Sequence, residues 1–91
     1  MKPPVILVTN DDGVHAPGIG ALATALSDLG QVNVVAPDRE VSASSQSLTL
    51  THPLRAEKVA NRVYAVDGTP ADCVNLAIVK LLSQRPSLVV S

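Results

Sequence analysis

Asn10-Asp11-Asp12-Gly13 follows directly on the apolar run Val5-Ile6-Leu7-Val8-Thr9. Two adjacent carboxylates thus stand at the end of what reads as a buried strand, with a glycine that lets the backbone turn away. Unit charges about 4 Å apart repel by roughly 1 kcal/mol in water and about 4 kcal/mol at an effective dielectric of 20. A cation in the crevice turns that repulsion into attraction, and oxygen-only donors select hard cations such as Mg²⁺, Mn²⁺ or Ca²⁺. Asn, Asp and Gly also make a good turn with no ligand. A single aspartate would leave the turn as the better reading, and the second tips it toward the metal.

The segment Asp38 to Ser47 also follows an apolar run and carries serines at 42, 44, 45 and 47. Serine hydroxyls and the amides of a tight loop hold phosphate oxygens, or a hydroxyl joins a metal shell. Composition alone favours a solvated loop. The neighbouring strand end with Asp11 and Asp12 is what gives the loop chemical weight. Neither Gly-x-Gly-x-x-Gly nor the Gly-x-x-x-x-Gly-Lys-Ser/Thr phosphate loop occurs. Cys73 falls in the first turn of a helix, where a thiolate is favoured, but neither His15 nor His52 is placed beside it. A packed cysteine is the better reading. His15 reads as a surface loop residue within reach of a substrate, and Asp72 as a helix cap.

The elements that must position these residues alternate. Val5 to Thr9 has the continuous apolar pattern of a strand covered on both faces. Pro17 suits a first helical turn, and Ile19, Leu22, Ala23, Leu26 and Leu29 make one helical face that Gly30 closes as a C′ residue. Val32 to Ala36 is the next strand, completing a βαβ unit. Leu48-Thr49-Leu50-Thr51 alternates like a half-exposed strand, and a further strand is expected near Leu54–Ala56. Val63 to Val66 is a strand ended by an Asp67-Gly68 turn. Thr69 caps a helix with Pro70 at N1 and Asp72 at N3, and Gln84-Arg85-Pro86 end it. Leu88-Val89-Val90 opens another buried strand. This alternation predicts an α/β fold with a three-layer, mainly parallel, Rossmann-like sheet, incomplete in this chain. Residues 1–91 are expected to form the N-terminal part of one such domain.

Composition narrows the function classes. The 91 residues are 46% hydrophobic and 16% charged, as in a folded chain. Seven Lys+Arg against eight Asp+Glu give no electrostatic footprint for nucleic acid. The single cysteine fits a reducing cytoplasm, and no apolar run reaches the roughly 20 residues of a membrane span. Tyr64 is the only aromatic residue, so the core is built from aliphatic side chains and no stacking platform for a base exists.

Taken in order, Ile6-Leu7-Val8-Thr9-Asn10-Asp11-Asp12-Gly13, His15-Ala16-Pro17-Gly18, Val35-Ala36-Pro37-Asp38-Arg39, Ser42, Ser47-Leu48-Thr49-Leu50 and Gly68-Thr69-Pro70-Ala71-Asp72-Cys73-Val74 resemble the survival protein E (SurE) family along essentially the whole chain. The resemblance implies a metal-dependent phosphatase acting on nucleoside 5′- and 3′-monophosphates, with short polyphosphate as a further substrate. It implies one divalent cation, Mg²⁺ or Mn²⁺, per subunit, held by Asp11, Asp12 and Ser42. The fourth ligand it implies is an asparagine of a Ser-Gly-hydrophobic-Asn motif whose serine matches Ser91. Ser44 and Ser45 are candidate phosphate contacts. Position 41 is Val where many relatives carry Arg.

Composition makes a cytoplasmic protein without a nucleic-acid or membrane partner the default expectation, and the resemblance implies dimers or tetramers at full length. The 91-residue chain is expected to be inactive and marginally stable alone. The rival expectation is a receiver-type signalling module, whose first strand also ends in an acidic Mg²⁺ pair. Asp67 and Lys80 are poor matches for its remaining residues, and that reading leaves the serine loop unexplained.

Overall fold

The computed structural model describes residues 3–41, 47–50 and 52–91. Five strands form one sheet: β1 (Val5–Val8), β2 (Gln31–Pro37), β3 (Ala56–Ala60), β4 (Val63–Val66) and β5 (Leu88–Val90), in the spatial order β3-β4-β2-β1-β5. β1 runs parallel to β2 (Val8 opposite Val34) and to β5 (Val8 opposite Val90), and β2 runs parallel to β4. Only β3 is antiparallel, to β4. The mainly parallel α/β sheet is therefore as expected.

Alternation along the strands builds a core on each face. Ile6, Val8, Val34 and Ala36 point to one side, where α1 (Pro17–Leu26) covers them with Ile19, Leu22, Ala23 and Leu26. Leu7, Val35 and Val66 point to the other, against Cys73 and Ala77. These two come from α2 (Pro70–Leu76) and the π-helical turn Ala77–Leu81 that continues it. Leu7 and Val35 are wholly buried, and each such side chain contributes about 1.5–3 kcal/mol. The three layers follow from β1 and β2 being apolar on both faces.

Some local expectations need correction. The strand at Leu88–Val90 is present but not buried: it forms a sheet edge, with Leu88 and Val89 exposed. Leu48–Leu50 is not a strand: Leu50 is 91% exposed, and Thr49 is bonded to a helix terminus instead of a neighbouring strand. The strand expected near Leu54–Ala56 lies at Ala56–Ala60, where all five residues are exposed on an edge and leave no hydrophobic pattern. It joins β4 through Asn61-Arg62, with Arg62 in the left-handed region at φ 57. α1 stops at Leu26, so Gly30 is no C′ residue; a Cβ there would lie 2.3 Å from the Pro4 carbonyl oxygen, and that close approach is what requires glycine. The second helix ends before Gln84, because Leu82 turns extended (φ −93, ψ 138) after donating its N–H to the Ala77 carbonyl at 2.9 Å.

Candidate metal centre at the end of β1

In an open α/β sheet the carboxyl ends of the strands face the ligand crevice. β1 delivers Asn10–Gly13 there, and β2 delivers the loop that begins at Asp38. Asn10 closes the turn with its side chain: Oδ1 accepts the Gly13 N–H at 3.1 Å, and Nδ2 donates to the Gly13 carbonyl at 3.0 Å. Gly13 takes φ +104, and a Cβ on it would lie 3.0 Å from the Arg39 carbonyl carbon. Only glycine lets the two loops close on each other here.

Backbone bonds then lock the turn to β2. Val14 donates to the Pro37 carbonyl at 2.8 Å, and Val41 donates to the Asp11 carbonyl at 2.7 Å. The strand end itself is tied to β5 by Thr9 N–H donating to the Val90 carbonyl at 3.0 Å. The scaffold thus uses the backbone of Asp11 and spares its carboxylate. Asp11 is half-buried and Asp12 exposed. Among the described residues, no hydrogen bond or ion pair reaches either carboxylate.

These residues fit a hard divalent cation. Two carboxylates share one rigid turn, and their oxygens have no competing donor among the described residues. The described residues contain no cluster of three or more His, Cys, Asp or Glu that could hold a metal, so a further ligand from this chain would be a hydroxyl, amide or carbonyl oxygen. Ser42 would be such a ligand. It lies outside the described residues, as do Ser44 and Ser45. What the structure does place is Val41, next to Ser42 in sequence, against the Asp11 backbone.

Asp72 shows a different use of a carboxylate. It is 1% exposed and forms the capping box at the start of α2: the Thr69 hydroxyl accepts the Asp72 N–H at 3.1 Å, while Asp72 Oδ2 accepts the Thr69 N–H at 2.8 Å. The sequence reading covers this much. It misses Thr49, whose N–H donates to Asp72 Oδ1 at 2.7 Å and whose hydroxyl donates to Oδ2. Thr69 Oγ1 also donates to the Ser47 carbonyl at 3.0 Å. Burial works against the Asp72 charge, but the donors of Thr49 and Thr69 outweigh it and hold the carboxyl below its ordinary range. The cap therefore also fastens residues 47–49 to α2.

Cys73 is packed, as expected. Burial pushes its thiol up to about 12, and the Asp72 and Asp38 carboxylates push the same way against the Thr9 hydroxyl. Such a thiol is not a nucleophile at neutral pH. His15 is exposed and lies just beyond the acidic turn.

The comparisons agree with this architecture. The family described as "Survival protein SurE" matches residues 6–91. The chain is 64% identical over 86 residues to "5′-nucleotidase SurE" of Geotalea daltonii, covering 94% of this chain and 35% of that protein. It is 66% identical over 87 residues to the protein of the same name from Syntrophotalea carbinolica, covering 96% and 35%. The crystal structure of SurE from Aquifex aeolicus superposes with a TM-score of 0.86 at 52% identity, covering 94% of this chain and 36% of that one. The chain spans about a third of the length of these relatives, at 35–36%. A match over nearly the whole chain, on a shared fold with the acidic turn at its strand end, supports one conclusion: the chain belongs to the survival protein SurE family.

Proposed function

We propose that these residues form part of a metal-dependent phosphomonoester hydrolase acting on nucleoside 5′-monophosphates. The relatives named 5′-nucleotidase SurE support this reading. The observation that carries it is the acidic turn: two carboxylates on one locked loop, with no donor on them among the described residues. Activity on 3′-monophosphates and on short polyphosphate belongs to the same proposal, because only the phosphoryl group need meet the acidic turn. The resident cation is Mg²⁺ or Mn²⁺, held by Asp11 and Asp12 with Ser42 as the third protein ligand.

When bound, such a cation supplies Lewis-acid polarisation of the phosphoryl oxygens and a lowered pKa for a water. The chain's own contribution is positional. Asn10 and Gly13 hold the turn that carries the two carboxylates, and Val41, which precedes Ser42 in sequence, is bonded to the Asp11 carbonyl. Ser44 and Ser45 are proposed to donate hydrogen bonds to phosphate oxygens.

The proposal extends to the setting of the enzyme. Among the described residues no helix is long and apolar enough to cross a membrane, and a cytoplasmic location, a dimeric or tetrameric assembly and independence of nucleic acid are proposed with the activity. Because the chain covers 35% of its relatives, the test uses a family-length protein carrying these residues. It should release phosphate from a nucleoside monophosphate with Mn²⁺ or Mg²⁺ and stop with chelator. Asp11→Asn should lower the rate at least about 100-fold, since loss of even the outer partners of metal ligands costs 10–100-fold. Unchanged turnover in that variant would contradict the metal assignment.

A further inference from the structure

A cleft of about 500 Å³ opens at the carboxyl ends of β2 and β4, a volume in the range of small-molecule sites. His15 stands on one wall, three residues after Asp12 in sequence. Asp38 follows β2, Asp67 follows β4, and Arg55 and Glu57 flank the start of β3, with Val59 adding an apolar patch. The cleft adjoins the acidic turn, because Val14, next to His15, is bonded to Pro37, next to Asp38.

Its charge determines what it can take. Three carboxylates face one guanidinium and one imidazole, so a phosphate is repelled there. Asp67 Oδ1 already accepts the Arg55 N–H at 2.6 Å, and Asp38 Oδ1 pairs with Arg39 Nη1 at 2.6 Å. Among the described residues, no donor reaches the second oxygen of either. These two oxygens suit an uncharged group rich in hydroxyl donors, as acidic side chains do in accepting from ribose. The only Phe, Trp or Tyr, Tyr64, lines a different cleft, so a base here meets only the His15 imidazole and the Arg55 guanidinium, flat groups that stack on any base alike.

We infer that this cleft seats the sugar of a nucleoside monophosphate, with Asp38 and Asp67 accepting from its hydroxyls while the phosphate lies toward Asp11 and Asp12. The inference rests on the phosphatase reading above. It makes the enzyme selective for the sugar and indifferent to the base.

The experiment compares a nucleoside monophosphate with p-nitrophenyl phosphate, an ester without a sugar, in a family-length protein carrying these residues. Asp67→Asn keeps the acceptor for Arg55 and replaces the second oxygen with a donor. The ratio of kcat/KM for the nucleotide to that for p-nitrophenyl phosphate should fall about tenfold, the scale of one hydrogen bond to a charged group. Most of the fall should lie in KM. Asp38→Asn, at the neighbouring strand end, should shift the ratio the same way, and adenine and uracil nucleotides should differ by less than about threefold in the unaltered protein. An unchanged ratio in both variants overturns the sugar site while leaving the phosphatase reading intact. No turnover of either ester by the unaltered protein removes both.

Discussion

Asp72 at the start of α2 and the Asp11–Asp12 pair at the end of β1 are carboxylates on tight turns at helix and strand ends, yet the fold treats them in opposite ways. Asp72 is buried and accepts from the Thr49 N–H and hydroxyl and the Thr69 N–H. Asp11 is half-buried and Asp12 exposed, and the fold bonds to the backbone around them. A saturated carboxylate is structural: its hydrogen bonds offset the loss of water. A pair without donors among the described residues costs electrostatic repulsion and keeps its oxygens open to a cation. Acidic residues alone do not mark a site; what the protein leaves unsatisfied does.

This contrast can be broken most forcefully at Asp72. Asp72→Ala strands the half-buried N–H groups of Thr49 and Thr69 and should lower stability by about 3 kcal/mol. Asp12→Asn should change stability by no more than about 0.5 kcal/mol, since an exposed charge with a like-charged neighbour is lost. Chemical denaturation of both variants in the same family-length background checks the pair, and equal losses would erase the distinction.

Gly13→Ala should cost about 1–3 kcal/mol, because a side chain at φ +104 is strained and its Cβ meets the Arg39 backbone at 3.0 Å. The same variant should weaken metal binding, by moving the turn away from β2. Thermal melts with and without Mn²⁺ separate the two effects.

A smaller effect lies in pH. The folded carboxyl of Asp72 is held below its ordinary range, so its stabilising contribution is fully present above the unfolded value of about 4. It is lost as pH falls through the folded value. Asp72→Asn should therefore flatten the acid side of the stability curve below about pH 4 relative to the unaltered protein. An unchanged acid slope would mean that the Thr49 and Thr69 bonds do not favour the charged form.

Legibility in the sequence tracked burial and local chemistry. β1 and β2 are readable because both their faces are covered, which leaves β1 wholly apolar and β2 apolar apart from Gln31 and Asn33. The start of α2 was readable because Thr69, Pro70 and Asp72 make their bonds within one turn. β4 lies where the sequence places it, but β3 and its pairing to β4 are not readable, since β3 is exposed throughout and its turn uses Asn61-Arg62 without a glycine. Thr49 was misread because its partner lies 23 residues away, while the Leu-Thr-Leu-Thr alternation imitates a strand. The acidic turn was legible as a candidate. The fastening of its backbone to Pro37 and Val41 was not, because those contacts depend on two strands lying side by side.

The most direct test is a calorimetric titration of Mn²⁺ into a metal-stripped, family-length protein carrying these residues, repeated with Asp12→Asn and Asp72→Asn. The account predicts one site per chain, weakened at least about tenfold by Asp12→Asn and changed less than about threefold by Asp72→Asn in the protein that remains folded. Equal weakening by both variants, or full binding in Asp12→Asn, would contradict it.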